Sequence, residues 1–235
     1  MPESTSGFQP VNVPNLRVSI ENEIRGAILR GAFQPGERIV ESSLADQLRV
    51  SRAPVREVLS ALEREGLISN VPRRGYFAIK FTDKDIEEIY GLRILLESAA
   101  LQRAIVRSSD EEIAEIQAIV DEIGAAVEQG SDSMTVVALD LRFHESLCRA
   151  ADHTRLFNAW NSIRWQTQLL MRITTQTHYR QPREPQQYHQ RILDAIRTRD
   201  LAEAQVELSA HINDAMRRAR DAMESLLSDP AIRSN

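Results

Sequence analysis

Apolar residues recur every three or four positions along most of the chain, which is the spacing of amphipathic helices. The first stretch of this kind begins at Leu16 and ends at Gly31. Two shorter helices are predicted over residues 42–48 and 51–65, with only two or three residues left for the turn between them. Two short helices joined so tightly are typical of a helix-turn-helix.

After the third helix the pattern changes to two short runs that are typical of β-strands. Residues 67–71 and 76–79 flank a turn that contains Pro72 and Gly75, and together they predict a hairpin. Three helices followed by a hairpin form the element order of a winged helix-turn-helix. The polar, proline-containing residues 1–15 that precede it show no periodicity and are predicted to be a flexible arm.

The rest of the chain predicts helices only. Thr82 and Asp85 match a capping box, which predicts a new helix and a boundary near residue 81. Six helices are predicted, over residues 83–107, 110–129, 133–151, 153–176, 185–199 and 201–228. The fold class is therefore mainly α, with a winged helix-turn-helix over residues 16–81 and an antiparallel six-helix bundle over residues 82–230.

Composition narrows the class of protein. The chain of 235 residues is 42% hydrophobic and 27% charged, which is ordinary for a folded protein and excludes wholesale disorder. No apolar run reaches the length of a membrane span, and the first residues lack the features of a signal peptide, so a cytoplasmic protein is expected. The single cysteine, Cys148, cannot form an internal disulfide or a thiolate-rich zinc site. Any bound metal is therefore expected on histidine and carboxylate.

The net charge of −5 is unfavourable for a nucleic-acid partner until its distribution is considered. Residues 49–80 contain seven Arg or Lys and three Glu, a local charge of +4. Arg52 and Arg56 lie on one side of the third helix, the element that enters the major groove in a helix-turn-helix. Arg73 and Arg74 lie at the hairpin tip, where they would reach the DNA backbone or the minor groove. The alternative for any isolated arginine pair is a solvated charged face.

Three histidines in apolar helical contexts, together with one aspartate, indicate a metal site. Asp140 and His144 are four residues apart, so both side chains project from one helix face. His189 and His211 are each eleven residues from the predicted turn at Asp200, so they would lie at the same height of an antiparallel helix pair. A carboxylate and imidazoles can share one divalent cation. Taken singly, a histidine on an apolar face is more often a hydrogen-bonded core residue.

The basic module resembles a known family. Residues 35–45, which read PGERIVESSLA, and residues 50–68, which read VSRAPVREVLSALEREGLI, closely resemble the GntR family of bacterial transcription regulators. The wing sequence RRGYF at residues 73–77 fits the same family. Arg49 stands where members commonly have Gly, at a turn where a positive φ favours glycine. The resemblance implies that DNA is contacted by Arg49, Ser51, Arg52, Arg56, Arg73, Arg74 and Gly75.

The helical half is similar to the effector domain of the FadR branch of this family, through Asp140, His144, residues 188–196 and residues 210–212. Its six predicted helices are similar to the VanR-like subgroup. The resemblance implies a divalent cation, such as Zn, Ni or Mn, held by Asp140, His144, His189 and His211. It also implies a cavity in which a small carboxylic acid completes the coordination of the metal. The candidates for binding this effector are Arg93, Arg142 and Arg172.

These arginines have structural alternatives. Arg93 matches a family arginine and is expected to bind the effector carboxylate through a charge-assisted hydrogen bond, or else to pair with Glu97 at i,i+4. For Arg142 and Arg172, the alternative to effector binding is a surface position or a salt bridge.

Together these features predict a sequence-specific DNA-binding transcription regulator rather than an enzyme. It is expected to be a homodimeric repressor that binds a palindromic operator and responds to a small carboxylate. The alternative is a metal-dependent hydrolase or lyase that uses the Asp/His site, although no catalytic base is evident beside the ligands. A third reading is a structural helical protein whose buried histidines hold no metal.

Overall fold

The computed structural model describes residues 14–178 and 184–228, and its elements follow the predicted order. The helices are α1 (Pro14–Arg30), α2 (Glu41–Leu48), α3 (Arg52–Arg64), α4 (Asp83–Arg107), α5 (Asp110–Glu128), α6 (Ser133–Ala150), α7 (Thr154–His178), α8 (Glu184–Arg197) and α9 (Leu201–Ser228). The strands are β1 (Arg38–Ile39), β2 (Ile68–Val71) and β3 (Gly75–Ala78). Helix α1 includes the last two residues of the predicted arm, whose first thirteen residues lie outside the described residues.

Helices α1 to α3 and the small sheet form a winged helix-turn-helix, as the sequence predicts. The inner side of α3 consists of Val55, Val58, Leu59 and Leu62, which repeat every three or four residues and are fully buried. Burial of each such side chain stabilises the fold by about 1.5–3 kcal/mol. The other side of α3 remains in solvent, so the core holds the helix as a rigid support for the side chains that it exposes.

The sheet contains one strand that the sequence did not predict. Strand β3 is central in the order β1-β3-β2 and pairs antiparallel with both neighbours. The two residues of β1 pair with Phe77 and Tyr76. A strand of two residues is too short for any alternation of polar and apolar residues to reveal it, so only its pairing with β3 identifies it.

Two turns in this half place an arginine in a left-handed backbone conformation. Arg49, which follows the last residue of α2, has a φ of 55°, in agreement with the glycine that the family commonly has there. A residue with a side chain costs about 1 kcal/mol in this conformation relative to glycine. At the wing, Arg73 has a φ of 65° and Gly75 a φ of 93°. These two residues turn the chain sharply between β2 and β3, and Arg73 and Arg74 lie exposed at the tip.

Helices α4 to α9 pack as a bundle in which α4 contacts α6, α7 and α9. The predicted capping box is formed, because the Thr82 side chain accepts a hydrogen bond from the Asp85 N–H and the Asp85 side chain accepts one from the Thr82 N–H. Ser109 and Glu112 form the same arrangement at the start of α5. The predicted six-helix architecture is confirmed. Among the described helices, none is apolar over a stretch long enough to span a bilayer.

The two halves of the chain touch along α1, α3 and α7. The Arg25 guanidinium of α1 donates a hydrogen bond of 2.7 Å to Glu65 and lies 4.8 Å from the ring centre of Trp165 on α7. Gly66, with a φ of 71°, lies so close to Gln166 that a Cβ atom there would be 1.6 Å from the Gln166 Nε2. Helix α7 therefore connects the bundle directly to the winged helix-turn-helix.

Candidate metal centre and nucleic-acid interface

Four of the predicted site residues converge in the interior of the bundle. Helix α6 contributes Asp140 and His144, α8 contributes His189, and α9 contributes His211. All four are buried, and one potential ligand atom of each lies within 4.8 Å of the others. Two ligands on opposite sides of a zinc ion, each at about 2.1 Å, would be about 4.2 Å apart, so this spacing suits one shared cation.

Polar contacts on the outer side of the cluster leave unshared electron pairs facing inward. The His189 Nδ1 lies 2.6 Å from the Pro185 carbonyl oxygen and must donate to it, which leaves its Nε2 unprotonated when the ring is neutral. The His144 Nδ1 lies 2.6 Å from the Glu97 carboxylate, so its Nε2 also faces inward. That Nε2 is 3.2 Å from the Nε2 of His211. Inward-facing lone pairs on oriented imidazoles are what a divalent cation requires.

The electrostatics of the cluster also fit a cation. Burial by itself raises the pKa of Asp140, but His189 and His144 outweigh it and hold this pKa well below its usual range. Burial, reinforced by His189, lowers the pKa of His211 well below its usual range. The Asp140 Oδ1 and the His211 Nδ1 make no well-formed hydrogen bond within the described residues. A charged carboxylate lies beside a neutral imidazole, and each has a buried polar atom without a well-formed hydrogen bond in the described residues. This combination fits a metal site.

Glu97 belongs to this site, although the sequence suggested it only as an ion-pair partner. Its Oε1 accepts hydrogen bonds of 2.9 Å from Arg93 Nε and 3.0 Å from Trp160 Nε1, while its Oε2 contacts His144. Burial raises the pKa of Glu97, but Arg93 and His144 outweigh it and hold the pKa below its ordinary value. The carboxylate therefore orients the His144 ring, as carboxylates behind ligating histidines do in metal sites. The i,i+4 spacing from Arg93 was its signal in the sequence.

A small cavity adjoins Asp140 and His211. Its volume is about 20 Å³, which is room for about one water molecule. The lining residues are Tyr90, Arg93, Asp140, Met171, Thr174, His211, Ala215 and Arg218. The buried Arg93 Nη2 and Tyr90 hydroxyl make no well-formed hydrogen bond within the described residues. Burial raises the pKa of Tyr90 to about 12, so its hydroxyl keeps its proton, and both groups are donors suited to carboxylate oxygens.

The predicted effector-binding arginines have different positions. Arg93 pairs with Glu97 and also lines the cavity, so its two suggested roles are compatible. Arg142 lies away from the cavity, where it is exposed and pairs with a glutamate of α5 at 2.7 Å. Arg172 is buried on α7 but points toward α1, where a Cβ atom at Gly31 would be 2.4 Å from its Nη1.

Arg218 lines the cavity, although the sequence did not single it out. It lies on α9 and is paired with Asp214 of the same helix. No local pattern in the sequence connects Arg218 with Arg93, and only the packing of α9 against α4 brings both to one cavity.

The residues predicted to contact DNA are accessible to solvent. Ser51 precedes α3, Arg52 is its first residue, and both are exposed, as is Arg49 in the preceding turn. The Arg56 side chain is 67% exposed and donates a hydrogen bond of 2.9 Å to Glu41 of α2. This ion pair joins the two helices of the helix-turn-helix and leaves the guanidinium accessible.

The wing presents a second group of cations. Arg73 and Arg74 are exposed at the turn before Gly75, and the Arg74 guanidinium lies 5.4 Å from the ring centre of Phe77. Contact with an aromatic ring limits the freedom of the arginine while its hydrogen-bond donors stay in solvent. The arrangement suits contact with phosphates more than reading of bases.

Comparisons with known families match the two halves of this structure. Residues 16–77 match the gntR family of bacterial regulatory proteins, and residues 88–214 match the FCD domain. The chain belongs to the GntR family. The FCD domain is the FadR-like C-terminal domain of such regulators, as the resemblance of the helical half implies. The predicted boundary near residue 81 lies between the two matched ranges and stays a prediction.

The relatives of this GntR regulator are transcription regulators. The HTH-type transcriptional regulator YdhC of Bacillus subtilis (strain 168) is 30% identical over 192 residues, which are 82% of this chain and 85% of that protein. The gluconate operon transcriptional repressor of the same organism is 28% identical over 208 residues, 87% and 85% of the two chains. Because its family and relatives are regulators, the protein is not an enzyme, and the hydrolase or lyase alternative is not supported.

Solved structures share the fold. A GntR transcriptional regulator from Rhodococcus sp. RHA1 superimposes with a TM-score of 0.73 at 26% identity, covering 88% of this chain and 99% of that chain. Escherichia coli McbR/YncC superimposes with a TM-score of 0.72 at 20% identity, covering 91% and 99%. Both likenesses include the winged helix-turn-helix and the helical bundle.

Proposed function

We propose that this GntR regulator is a repressor whose operator affinity is modulated by a small carboxylic acid bound at a divalent cation. Residues 16–81 would bind DNA, and residues 82–230 would hold the cation, bind the effector and form a homodimer. The cation, Zn, Ni or Mn, would be held by Asp140, His144, His189 and His211. The observation that carries the proposal is the convergence of these buried residues beside a cavity with unsatisfied donors.

The charges around the cavity favour an effector with a single carboxylate. Arg93 is neutralised by Glu97, and Arg218 is paired with Asp214. A divalent cation beside Asp140 would therefore leave a net charge of about +1 at the cavity, which one carboxylate neutralises. A cation held by Asp140 and the three histidines would supply the positive charge that attracts this carboxylate. Arg93 would orient one carboxylate oxygen through a charge-assisted hydrogen bond.

Entry of an effector requires the cavity to change shape, because its present volume holds about one water molecule. Met171 and Thr174 of α7 form part of its wall. Less than two turns before Met171 on the same helix, Trp165 lies against Arg25 of α1. Displacement of α7 would therefore act on the contact between the two halves. The effector would shift the equilibrium between two arrangements of the DNA-binding half. The size of this shift is limited by the difference in its affinity for the two arrangements.

A palindromic operator requires two copies of α3, whose half-sites lie about one turn of DNA apart. The proposed contacts are from Arg52 and Arg56 to base edges or phosphates, and from Arg49, Ser51, Arg73, Arg74 and Gly75 to the backbone. The related protein of the gluconate operon is named a transcriptional repressor, which supports repression as the mode of action.

A DNA-binding titration with metal and carboxylate tests this function. The full chain, expressed without a histidine tag, would be analysed for bound metal and titrated with an inverted-repeat DNA selected from a random library. We expect one metal per chain and sequence-specific binding. With metal present, acetate, pyruvate or lactate should weaken binding by about 5- to 150-fold if it matches the cavity. No metal uptake and no thermal shift with Zn, Ni or Mn would instead indicate purely structural histidines.

A further inference from the structure

Helix α4 has two faces of opposite character. One face is buried and carries Tyr90, Arg93 and Glu97 to the metal cluster and the cavity. The other face is exposed and carries the six residues that we call the α4 stripe, namely Glu88, Leu92, Leu95, Ala99, Gln102 and Val106. Leu95 is 69% exposed and Val106 is 80% exposed. No described element of the chain covers this largely apolar side.

The spacing of the α4 stripe is that of a helix-pairing seam. Its members are alternately four and three residues apart along the helix, which is the repeat that keeps one side of a helix against a second helix. Large exposed aliphatic residues gathered on one helix face are unusual for a surface that meets only water. The pattern therefore indicates that another helix lies along α4.

Gly91 provides an independent observation at the edge of this seam. A glycine inside a helix costs about 1 kcal/mol relative to alanine. A Cβ atom at Gly91 would meet nothing within 4 Å, so no neighbour within the described chain requires a glycine there. Gly91 lies one helical turn from Leu95 on the same side of the helix, where the absence of a side chain lets a second backbone approach closely.

We infer that the α4 stripe is the surface through which two copies of this chain pair, with the two α4 helices antiparallel. The inference rests on the proposed homodimer and names its interface. Because a two-fold axis places the same surface of both copies in contact, a stripe that is apolar along its centre is complementary to itself.

The charge distribution along α4 favours the antiparallel direction. Within the chain, Asp83 and Glu87 contact Arg220 and Arg107 contacts Asp152, but exposed ion pairs of this kind are weak and leave the charges of the two ends in place. The first turns of α4 contain Asp83, Asp85, Glu87 and Glu88 with only one lysine, whereas its last turns contain Arg103 and Arg107. Antiparallel pairing places each acidic end beside a basic end, and it also opposes the two helix dipoles favourably. Parallel pairing would instead place Glu88 directly against the Glu88 of its copy.

The antiparallel arrangement also suits the geometry of DNA binding. The midpoint of the α4 stripe lies at residue 97, so the two Asp83 residues, which follow the two winged helix-turn-helix units, would be about 42 Å apart along the pair. Half-sites of a palindromic operator are about 34–36 Å apart when they are separated by one turn of DNA. The pairing therefore separates the two units by a distance comparable with one turn.

The interface and the cavity would share one rigid element. Arg93 lines the cavity and Glu97 contacts His144 from the same turns of α4 in which Leu92 and Leu95 would face the second copy. Movement of α4 on effector binding would therefore be transmitted to the other copy of the chain.

Sedimentation equilibrium of Leu95→Asp tests the interface. We expect the full chain to sediment with twice the chain mass and L95D with the single mass, because each introduced carboxylate would be buried in the seam without a counter-charge. Val206→Asp is the matched control, since Val206 is 62% exposed on α9 outside the stripe, and it should remain dimeric. Circular dichroism and uptake of Zn by each variant would verify the fold.

The outcomes distinguish the two proposals. A parent chain that is monomeric overturns the proposed homodimer together with this interface. A dimeric parent with a dimeric, folded L95D overturns the interface alone, and the proposed function stands. If both aspartate variants become monomeric, the effect is not specific to the stripe and the interface is again rejected.

Cross-linking tests the interface and the direction of pairing even if L95D does not fold. Cys148 is buried, so a cysteine introduced on the stripe is the accessible thiol of the described chain. In the antiparallel pair, Ala99 lies about 6 Å along the axis from its copy and Val106 about 27 Å from its copy. A short bis-maleimide should therefore join Ala99→Cys chains but not Val106→Cys chains. Equal cross-linking of both variants would overturn the antiparallel pairing, and none in a dimeric protein would overturn the interface.

Discussion

His211→Ala should abolish the stabilisation of this protein by metal. In the parent chain, a divalent cation at about 100 times its Kd would stabilise the fold by about 2.7 kcal/mol. Each kcal/mol raises the Tm of a chain of this size by about 2–4 °C, so metal should raise the Tm by about 5–11 °C. The substitution removes one of four buried ligands. If it weakens affinity about 100-fold, the same metal concentration stabilises by only about 0.4 kcal/mol, or about 1 °C.

The assay is differential scanning fluorimetry of chelator-treated protein, with Zn, Ni and Mn added in turn. The informative quantity is the change in Tm caused by metal, because truncation of the buried ring also lowers the Tm of H211A without metal. His153→Ala is the control, since His153 is exposed, lies outside the cluster and uses its ring to accept a hydrogen bond from the Leu156 N–H. It should keep the full shift. Equal shifts in H211A and the parent chain with every metal would refute the assignment of the cluster.

Three other predictions concern DNA binding, the buried ion pair and the cysteine. Arg52→Ala should weaken operator binding by about 1–3 kcal/mol in an anisotropy titration, whereas Arg197→Ala on α8 should not, and equal affinities would contradict the DNA interface. Glu97→Gln should lower the free energy of unfolding in urea by about 3–5 kcal/mol because Arg93 stays buried without its counter-charge. Combining E97Q with Arg93→Met should recover much of this loss. A free energy of unfolding that is the same in E97Q as in the parent chain would refute the reasoning. Burial raises the pKa of the Cys148 thiol, so it should resist alkylation in the native protein and react in urea, while rapid native labelling would show that the thiol is accessible.

Much of the architecture was predictable because helices depend on interactions between residues that are close in sequence. The capping box of Thr82 and Asp85 marks the start of α4, and the apolar repeat predicts α9 with the bounds that the structure shows. The clustering of the four proposed ligands follows from the same geometry. Asp140 and His144 are one helical turn apart, while two histidines equally distant from one turn meet when their helices fold back.

The sequence by itself therefore determined the helices, their exposed and buried faces, and the winged helix-turn-helix with its basic residues. Tertiary structure alone decided which faces meet. Strand β1 exists through its pairing with β3, and Glu97 reaches His144 and Trp160 only because α4, α6 and α7 pack together. The same packing brings Arg218 to the cavity and turns Arg172 toward α1. The physical reason is that helix formation is local, whereas the choice between alternative helix contacts depends on the close packing of side chains that are distant in sequence.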